Sequence, residues 1–465
     1  MNQYNLYPEQ ESGLYEYHWR MRVLYDITKL GHAYLSSTDK TGVFRVVDSV
    51  YENLVQAASS GVIELYTCSS KSYLDIGACR NLVKSRGPAY EETFCNKTFC
   101  DPIIGSAASI CQNITKSILT SSGRYHLLLL KAARFMLRHE PESLSQPLIV
   151  RSLNTFMTQN HVEVYHSPFF SVPAWLSTTK TRTILTIHDI IAAIKPDLFT
   201  NQISTILRNI LDSVLLVDAI ICVSHHTKWD LCNYFGQRLD PDKVFVTHLA
   251  AANYFRKCDF SEQMLYVKRK YNIPFDSRYF LSVNTLEPRK NIGFLIKCFS
   301  RLVQQEGMQD LLLVLAGGKG WKYRDIFQEL KNSPVRNRIV IAGFVPDEDL
   351  SALYSGALAF VYPSLYEGFG LPPLEAMQCG APVITSDTSS LPEVVGDAGI
   401  MIDPTDSDAL CESMLTVYSN SALRGRLAEK SLRQARTFSW ERCAAETIDV
   451  YRTVIDRHTA LPGGE

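Results

Sequence analysis

A short apolar run, Ala357 to Tyr362, leads through Tyr366-Glu367-Gly368-Phe369-Gly370-Leu371-Pro372-Pro373 into the helix-like Leu374-Glu375-Ala376-Met377. Such a run reads as a buried strand, and a strand passing directly into a helix is the unit of a parallel α/β sheet. Glycines at that turn let a ligand approach the backbone, and the new helix aims N–H groups and partial positive charge at it. A phosphate fits there. Glu367 and Glu375 add acceptors suited to sugar or ribose hydroxyls. An ordinary strand-to-helix turn with solvated glutamates fits the same letters.

The unit recurs. Arg278 to Val283 reads as a strand ending in Asn284-Thr285-Leu286-Glu287-Pro288-Arg289-Lys290-Asn291, with a helical pattern from Ile292. Strand Leu311–Leu315 precedes Ala316-Gly317-Gly318-Lys319-Gly320-Trp321, and strand Ile339–Ala342 precedes Gly343-Phe344-Val345-Pro346. Pro382-Val383-Ile384-Thr385 runs into a Ser/Asp-rich turn and Leu391-Pro392-Glu393. Arg289 and Lys290, at the C-terminal end of a strand, face the crevice where open α/β sheets bind ligands. A guanidinium fork beside an ammonium holds a diphosphate and stabilises the charge that grows as it leaves.

These segments, in this order, resemble the donor-binding half of the retaining GT-B glycosyltransferases of family 4, over the whole C-terminal half of the chain. The resemblance implies an α/β fold of GT-B type: two Rossmann-like doubly wound domains facing across a cleft, with a C-terminal helix crossing back to the first. It implies that Arg289 and Lys290 hold the diphosphate, Glu367 meets the donor sugar's hydroxyls and Glu375 the ribose. Gly318, Gly368 and the backbone of Phe369, Gly370 and Leu371 are implied beside the phosphate and sugar, and Phe344 and Val345 beside the base. Lys319 and Trp321 are explained as well by solvation and packing.

The N-terminal half carries matching signs. Arg22 to Ile27 reads as a first strand, followed by a polar stretch and Thr41-Gly42-Val43-Phe44-Arg45, where a helix begins. The resemblance implies that Gly42 and Arg45 lie against the donor or acceptor; a loop-ending glycine and a solvated arginine explain them equally. Two further strands end in histidines, at His166 and at His188. The histidine of Thr186-Ile187-His188-Asp189 is implied to touch the donor sugar, with Asp189 expected to fix its tautomer. His166 is as well explained by packing, and Ser224 as well by a helix cap.

At 465 residues the chain exceeds what one core usually supports. Lysines and arginines (47) balance aspartates and glutamates (48), so charge argues against nucleic acid. No apolar run nears the ~20 residues that span a bilayer, and the polar N-terminus lacks a signal peptide's apolar stretch, so a cytoplasmic protein is expected. A basic segment, 114–138, reads as a core helix with a solvated face or as a peripheral contact at the inner membrane face. The 12 cysteines contain no Cys-x-x-Cys, Cys95 and Cys100 are assigned no role, and the sequons at Asn96 and Asn113 carry no weight in a cytosolic chain. Asp240-Pro241-Asp242, Asp347-Glu348-Asp349 and Asp406-Ser407-Asp408 match a metal-binding string, but each precedes a helix-like stretch or a proline turn and reads as a cap. No metal and no permanently bound cofactor are expected.

The expected organisation is an N-terminal tail (1–19), an acceptor domain (20–258), a donor domain (259–436), a helix packing back on the first domain (437–457) and a tail (458–465), with the linker at Tyr254 to Lys257. The expected function is retaining transfer of a hexose-type sugar from a UDP- or GDP-linked donor to a hydroxyl acceptor: saccharide, lipid-linked glycan, metabolite or protein. The resemblance around Ser390-Leu391-Pro392-Glu393 leans toward a mannosyl donor. Two rivals use the same fold, a non-catalytic nucleotide-sugar-binding or assembly subunit and a nucleotide-sugar epimerase or hydrolase. The epimerase would need an acid and base beside the sugar.

Overall fold

Each strand–helix unit adds a parallel strand, and the units sort into two six-stranded sheets. The computed structural model describes residues 20–35, 42–71, 73–95, 142–199, 207–258, 262–306 and 308–459. The first sheet comprises β1 (Met21–Asp26), β2 (Ile63–Cys68), β3 (Val164–Ser167), β4 (Arg182–Ile187), β5 (Ala219–Cys222) and β6 (Val244–Val246), in the order β2-β1-β3-β4-β5-β6. The second comprises β7 (Arg278–Val283), β8 (Leu311–Ala316), β9 (Ile339–Gly343), β10 (Ala359–Tyr362), β11 (Val383–Ser386) and β12 (Gly399–Ile402), in the order β12-β11-β10-β7-β8-β9. Every pairing is parallel. The two-domain α/β architecture expected from the sequence is therefore present.

The strands are apolar on both faces because helices cover both faces. Alternation then divides each strand between two cores. In β8, Leu312 and Val314 enter one core while Leu311, Leu313 and Leu315 enter another. In β5, Ala219 and Ile221 face one way while Ile220 and Cys222 face the other. The inner faces of both sheets share a single core, with Tyr25, Tyr165, Phe360 and Tyr362 among its buried members. Each large side chain taken fully from water contributes roughly 1.5–3 kcal/mol.

The expected linker is part of that packing. Phe255 is buried in the shared core and the Tyr254 hydroxyl donates to Asp347 at 2.7 Å. The last helix, Trp440–Thr459, packs on helix Val43–Ser59 beside the first sheet, and the Tyr451 hydroxyl lies 2.6 Å from His166 Nδ1. Among the described residues no helix is long and apolar enough to cross a membrane. The N-terminal tail before residue 20, segment 114–138, Asn96, Cys100, Asn113 and the tail from 460 lie outside the described residues.

Order reverses at one place in each sheet, between β1 and β3 and between β7 and β10. Loops leaving adjacent strands there diverge to opposite faces and open a crevice at the strands' C-terminal ends. In the second sheet, the loops leaving β7 and β10 carry Asn284 to Lys290 and Ser364 to Gly370.

Candidate active site

Strand β10 delivers Glu367 to the crevice, and the segment after it needs its glycines. A Cβ on Gly368 would lie 2.3 Å from the carbonyl oxygen of His188, which belongs to the first domain's β4 loop. Across the sheet, Gly317 has φ +129°, and a Cβ there would meet the Asn284 carbonyl at 1.8 Å. Gly318, the neighbour singled out from the sequence, has open space at that position. The required glycine is the one before it.

Helix Leu371–Gln378 starts at the cleft with Gly370 as its cap residue. Pro372 and Pro373 occupy its first turn and have no N–H to offer, so an anion there meets fewer donors than the bare idea of a helix terminus suggests. The amides of Phe369, Gly370 and Leu371 and the helix dipole are what the segment presents.

Loop β7 brings two cations onto one carboxylate. Arg289 Nη1 donates to Glu367 Oε2 at 2.5 Å and to the Tyr366 carbonyl at 2.7 Å, while its Nη2 lies 2.8 Å from Glu287 Oε1. Lys290 Nζ donates to Glu367 Oε1 at 2.7 Å and to the Tyr362 hydroxyl at 2.6 Å. Ser364 and Tyr362 donate to the same Glu367 oxygen at 2.6 and 2.9 Å. Burial alone would raise the Glu367 pKa, but Arg289, Lys290 and these hydrogen bonds outweigh it and hold it at about 2. Glu367 is thus an anion at any working pH and too weak a base to take a proton from an alcohol. Burial and the neighbouring Arg289 pull Lys290 downward, offset in part by Glu367 and Glu287. Burial pushes Glu287 up against the pull of both cations.

Glu375, one helical turn into Leu371–Gln378, behaves oppositely. Its environment is buried and its cation is farther away, with Arg45 Nη1 at 3.5 Å and the Tyr354 hydroxyl at 3.0 Å. Burial dominates and raises its pKa to about 7. Arg45 comes from helix Val43–Ser59 of the first domain, begun by Gly42 at φ 59°. Its guanidinium pairs with Asp347 as well as Glu375, so it bridges the two domains beside the acceptor pair.

His188 is half-buried at the end of β4, and its Nε2 lies 2.8 Å from the Pro168 carbonyl. A carbonyl only accepts, so Nε2 carries the proton, and burial lowers the ring's pKa, leaving it neutral with Nδ1 as an acceptor. The expected tautomer-setting role of Asp189 is overturned: Asp189 Oδ1 accepts from the Ile191 backbone at 3.0 Å instead.

Arg45, His188, Glu287, Arg289, Lys290, Tyr362, Glu367 and Glu375 border one cleft of about 360 Å³ between the sheets. Its lining includes Gly42, Arg45, His188, Arg289, Lys290, Gly318, Phe344, Val345, Glu367, Gly368, Phe369, Gly370, Leu371 and Glu375. His166, Lys319 and Trp321 are elsewhere. His166 lies between Tyr451 and Thr186 in the interior, and Trp321 Nε1 donates to the Leu198 carbonyl at 2.6 Å. Ser224 caps helix His225–Phe235, accepting from Thr227 N, and its hydroxyl also donates to the Gly368 carbonyl at 2.6 Å. Of the Asp-x-Asp strings, Asp406 and Asp240 cap helical turns, whereas Asp347 meets Arg45 and Tyr254.

The cleft also holds groups the sequence did not nominate. Glu287 and Tyr362 complete the charged cluster, and their signal was proximity to Arg289 and to the end of β10. Asn284 lines the cleft with its Oδ1 buried and, among the described residues, lacking a hydrogen-bond partner. Such an acceptor costs free energy until a ligand or water donates to it.

Comparison with known proteins gives this geometry a context. The family described as "Glycosyl transferases group 1" matches residues 266–434, and "Glycosyltransferase Family 4" matches 122–250. O-antigen chain mannosyltransferase B of Escherichia coli is 36% identical over 290 residues, 62% of this chain and 74% of that protein. Serotype-specific mannosyltransferase WbdA, also of E. coli, is 30% identical over 305 residues; the match takes 64% of this chain and only 37% of WbdA. Among solved structures, a glycosyltransferase from Rickettsia africae superposes with TM-score 0.60 at 16% identity, covering 94% of this chain and 99% of the other. Anabaena Alr3699/HepE in complex with UDP and glucose gives 0.57 at 13% identity, covering 95% and 100%. The structural likenesses speak for fold, and the sequence matches for kinship. The chain belongs to the group 1, family 4 glycosyltransferases of GT-B fold, and it is a glycosyltransferase.

Proposed function

We propose that this enzyme moves a mannosyl-type hexose from a nucleoside-diphosphate sugar, UDP- or GDP-linked, to a hydroxyl of a glycan acceptor, with retention at the anomeric carbon. Residues 259–436 would hold the donor and 20–258 the acceptor. The observation that carries this reading is the buried cluster of Arg289, Lys290 and Glu367 beside the start of helix Leu371–Gln378. It keeps two cations at the topological switch point, where a diphosphate would displace the carboxylate and take both. The mannosyl choice rests on the names of the E. coli relatives, and the glycan acceptor on the first of them.

The step would break the bond from anomeric carbon to phosphate oxygen and form one from the same face to the acceptor oxygen. The acceptor's proton would pass to the departing phosphate oxygen. Glu367 at about pKa 2 and a neutral His188 support a step without a strong protein base. Arg289 and Lys290 would stabilise the leaving diphosphate, Glu367 and His188 would orient sugar hydroxyls, and Glu375 would accept from the ribose. Asn284 offers an acceptor that the base or ribose can satisfy.

The test is a thermal-shift titration with UDP, GDP, ADP and dTDP, with and without magnesium, followed by turnover of the matching hexose donors on glycan acceptors. A diphosphate that binds the native state raises its melting temperature. Magnesium-independent stabilisation by UDP or GDP, then an α-linked product from an α-linked donor, is expected. An inverted product would overturn retention, and indifference to all four diphosphates would overturn the donor class.

A further inference from the structure

We propose that His225, His248 and Glu393 form a binding site for a zinc-class divalent cation that bridges the two domains, apart from the donor cleft. The three residues come from three places. His225 opens helix His225–Phe235, His248 follows β6, and Glu393 lies on helix Leu391–Val395 of the second domain. One ligand atom from each lies within 4.8 Å of the others. None of the three lines the donor cleft.

Chemistry and spacing both favour zinc. Two imidazoles and a carboxylate are its common ligands, at about 2.0–2.2 Å, so neighbouring ligand atoms in a tetrahedral shell sit roughly 3.3–3.5 Å apart. His248 Nε2 and Glu393 Oε2 are already 3.2 Å apart. His225 is exposed, so its ring can turn through the remaining gap, and its centroid is 5.3 Å from that of His248. A water would complete the shell on the solvent side. Magnesium, which requires octahedral oxygen ligands, suits this set poorly.

The supporting contacts hold two ligands in place. The backbone N–H groups of His225 and His226 donate to Glu393 Oε2 and Oε1 at 3.0 and 3.2 Å. Phe369 and Phe438 flank the His248 ring, at centroid distances of 6.1 and 5.8 Å. Such outer contacts orient metal ligands. The cation would take the position between His248 Nε2 and Glu393 Oε2. An ordinary His248–Glu393 ion pair and the backbone N–H groups of His225 and His226 account for the placing of Glu393, and the His225 imidazole is the third ligand that the cation site adds. Because Glu393 alone comes from the second domain, a bound cation holds the domains together across the loop carrying Tyr366 to Gly370.

The site is tested on the full chain with Zn²⁺ and Mg²⁺, by competition with a chelator, by melting temperature, and by X-ray absorption at the zinc edge. One Zn²⁺ per chain is expected to bind through nitrogen and oxygen ligands and to raise the melting temperature, with Mg²⁺ inert at the same concentration. His225→Ala and His225→Gln change an exposed side chain and are expected to melt like wild type without zinc. Their zinc affinity should fall by at least the ~10- to 100-fold that losing even an outer-shell partner costs. Glu393→Gln keeps an acceptor for the helix N-terminus and should weaken zinc similarly. Sulfur in the zinc shell, which the many cysteines could supply, would overturn the site. So would undiminished affinity in both His225 variants, while undiminished affinity in Glu393→Gln would overturn the bridge.

Discussion

The two sheets reverse strand order in the same way and use the reversal differently. Between β7 and β10 the loops expose a cluster of Glu287, Arg289, Lys290 and Glu367 to the cleft. Between β1 and β3 the equivalent position is sealed. Asp26 ends β1 fully inside the protein, with Oδ1 accepting from the Thr28 backbone at 2.8 Å and Oδ2 accepting from Ser70 and Tyr165 hydroxyls at 2.6 and 2.7 Å. His166 on β3 is locked between Tyr451 and Thr186. One switch point keeps cations facing a cleft; the other satisfies a lone carboxylate internally. A shared topology thus supplies a place for a ligand, and the side chains at the strand ends decide whether it is used.

Removing the carboxylate from the open switch point is the harshest way to break this contrast. Glu367→Ala leaves Arg289 and Lys290 buried without their shared counter-charge, a loss expected at about 3–5 kcal/mol of stability. Denaturant unfolding measures it, and added diphosphate should recover a good part. A loss below about 1 kcal/mol would mean that solvent already serves these cations. The pH behaviour has a definite sign. With a folded pKa of about 2 against an ordinary 4.5, Glu367 contributes stability that is present above about pH 4.5 and lost as pH falls toward 2.

Removing one cation tests function instead. Arg289→Ala or Lys290→Ala should lower turnover by roughly 10²–10³-fold, the usual cost of one preorganised group on a developing anion. Nucleotide affinity should change far less, since base and ribose contacts remain. Initial rates under donor saturation separate the two, and full activity in the double variant would remove these residues from the reaction. The sealed switch point predicts the reverse pattern. Asp26→Asn removes acceptors from two of its buried donors and should cost about 1–3 kcal/mol of stability, with nucleotide affinity unchanged in the folded fraction. A drop in affinity would show that the first sheet's switch point also serves the donor.

What was legible in the sequence was whatever lies within one strand–loop–helix unit. Arg289, Lys290 and Glu367 lie in loops after strands and Glu375 on the helix that follows, so pattern placed them at one crevice and the resemblance supplied their expected roles. Arg45 was visible as a basic residue near Gly42, but its partners Glu375 and Asp347 lie some 300 residues away and meet it only when the domains face each other. The expected part of Asp189 beside His188 fails for a related reason. Asp189 is its chain neighbour, yet the backbone turns that carboxylate toward Ile191 and presents the Pro168 carbonyl to the ring. Periodicity and motifs carry no information on which carbonyl a neighbouring loop will present. Asn284 is not legible in the sequence, because an unsatisfied acceptor is a property of packing and an asparagine after a strand is ordinarily a turn residue.

The smallest expected effect separates the two carboxylates within the open site. Glu375, near pKa 7 because it is buried with Arg45 at a distance, should accept ribose hydroxyls best when ionised. If only that form binds well, nucleotide affinity rises with pH, by up to roughly tenfold between pH 6 and 8, as the ionised share grows from about 9% to about 91%. Calorimetric titration of the stabilising diphosphate across that range reads the effect. Glu375→Gln should flatten the profile, and Arg45→Ala should move it to higher pH, because the guanidinium now favours the ionised form. Linkage requires the opposite trend in the free protein. A folded pKa raised from 4.5 to about 7 makes the protonated form the stable one, so Glu375 should weaken the fold as pH climbs through that interval. Affinity that rises with pH while stability from this residue falls would identify Glu375 as the group held at a cost until the nucleotide arrives, and a flat profile in the wild-type enzyme would place the ribose elsewhere.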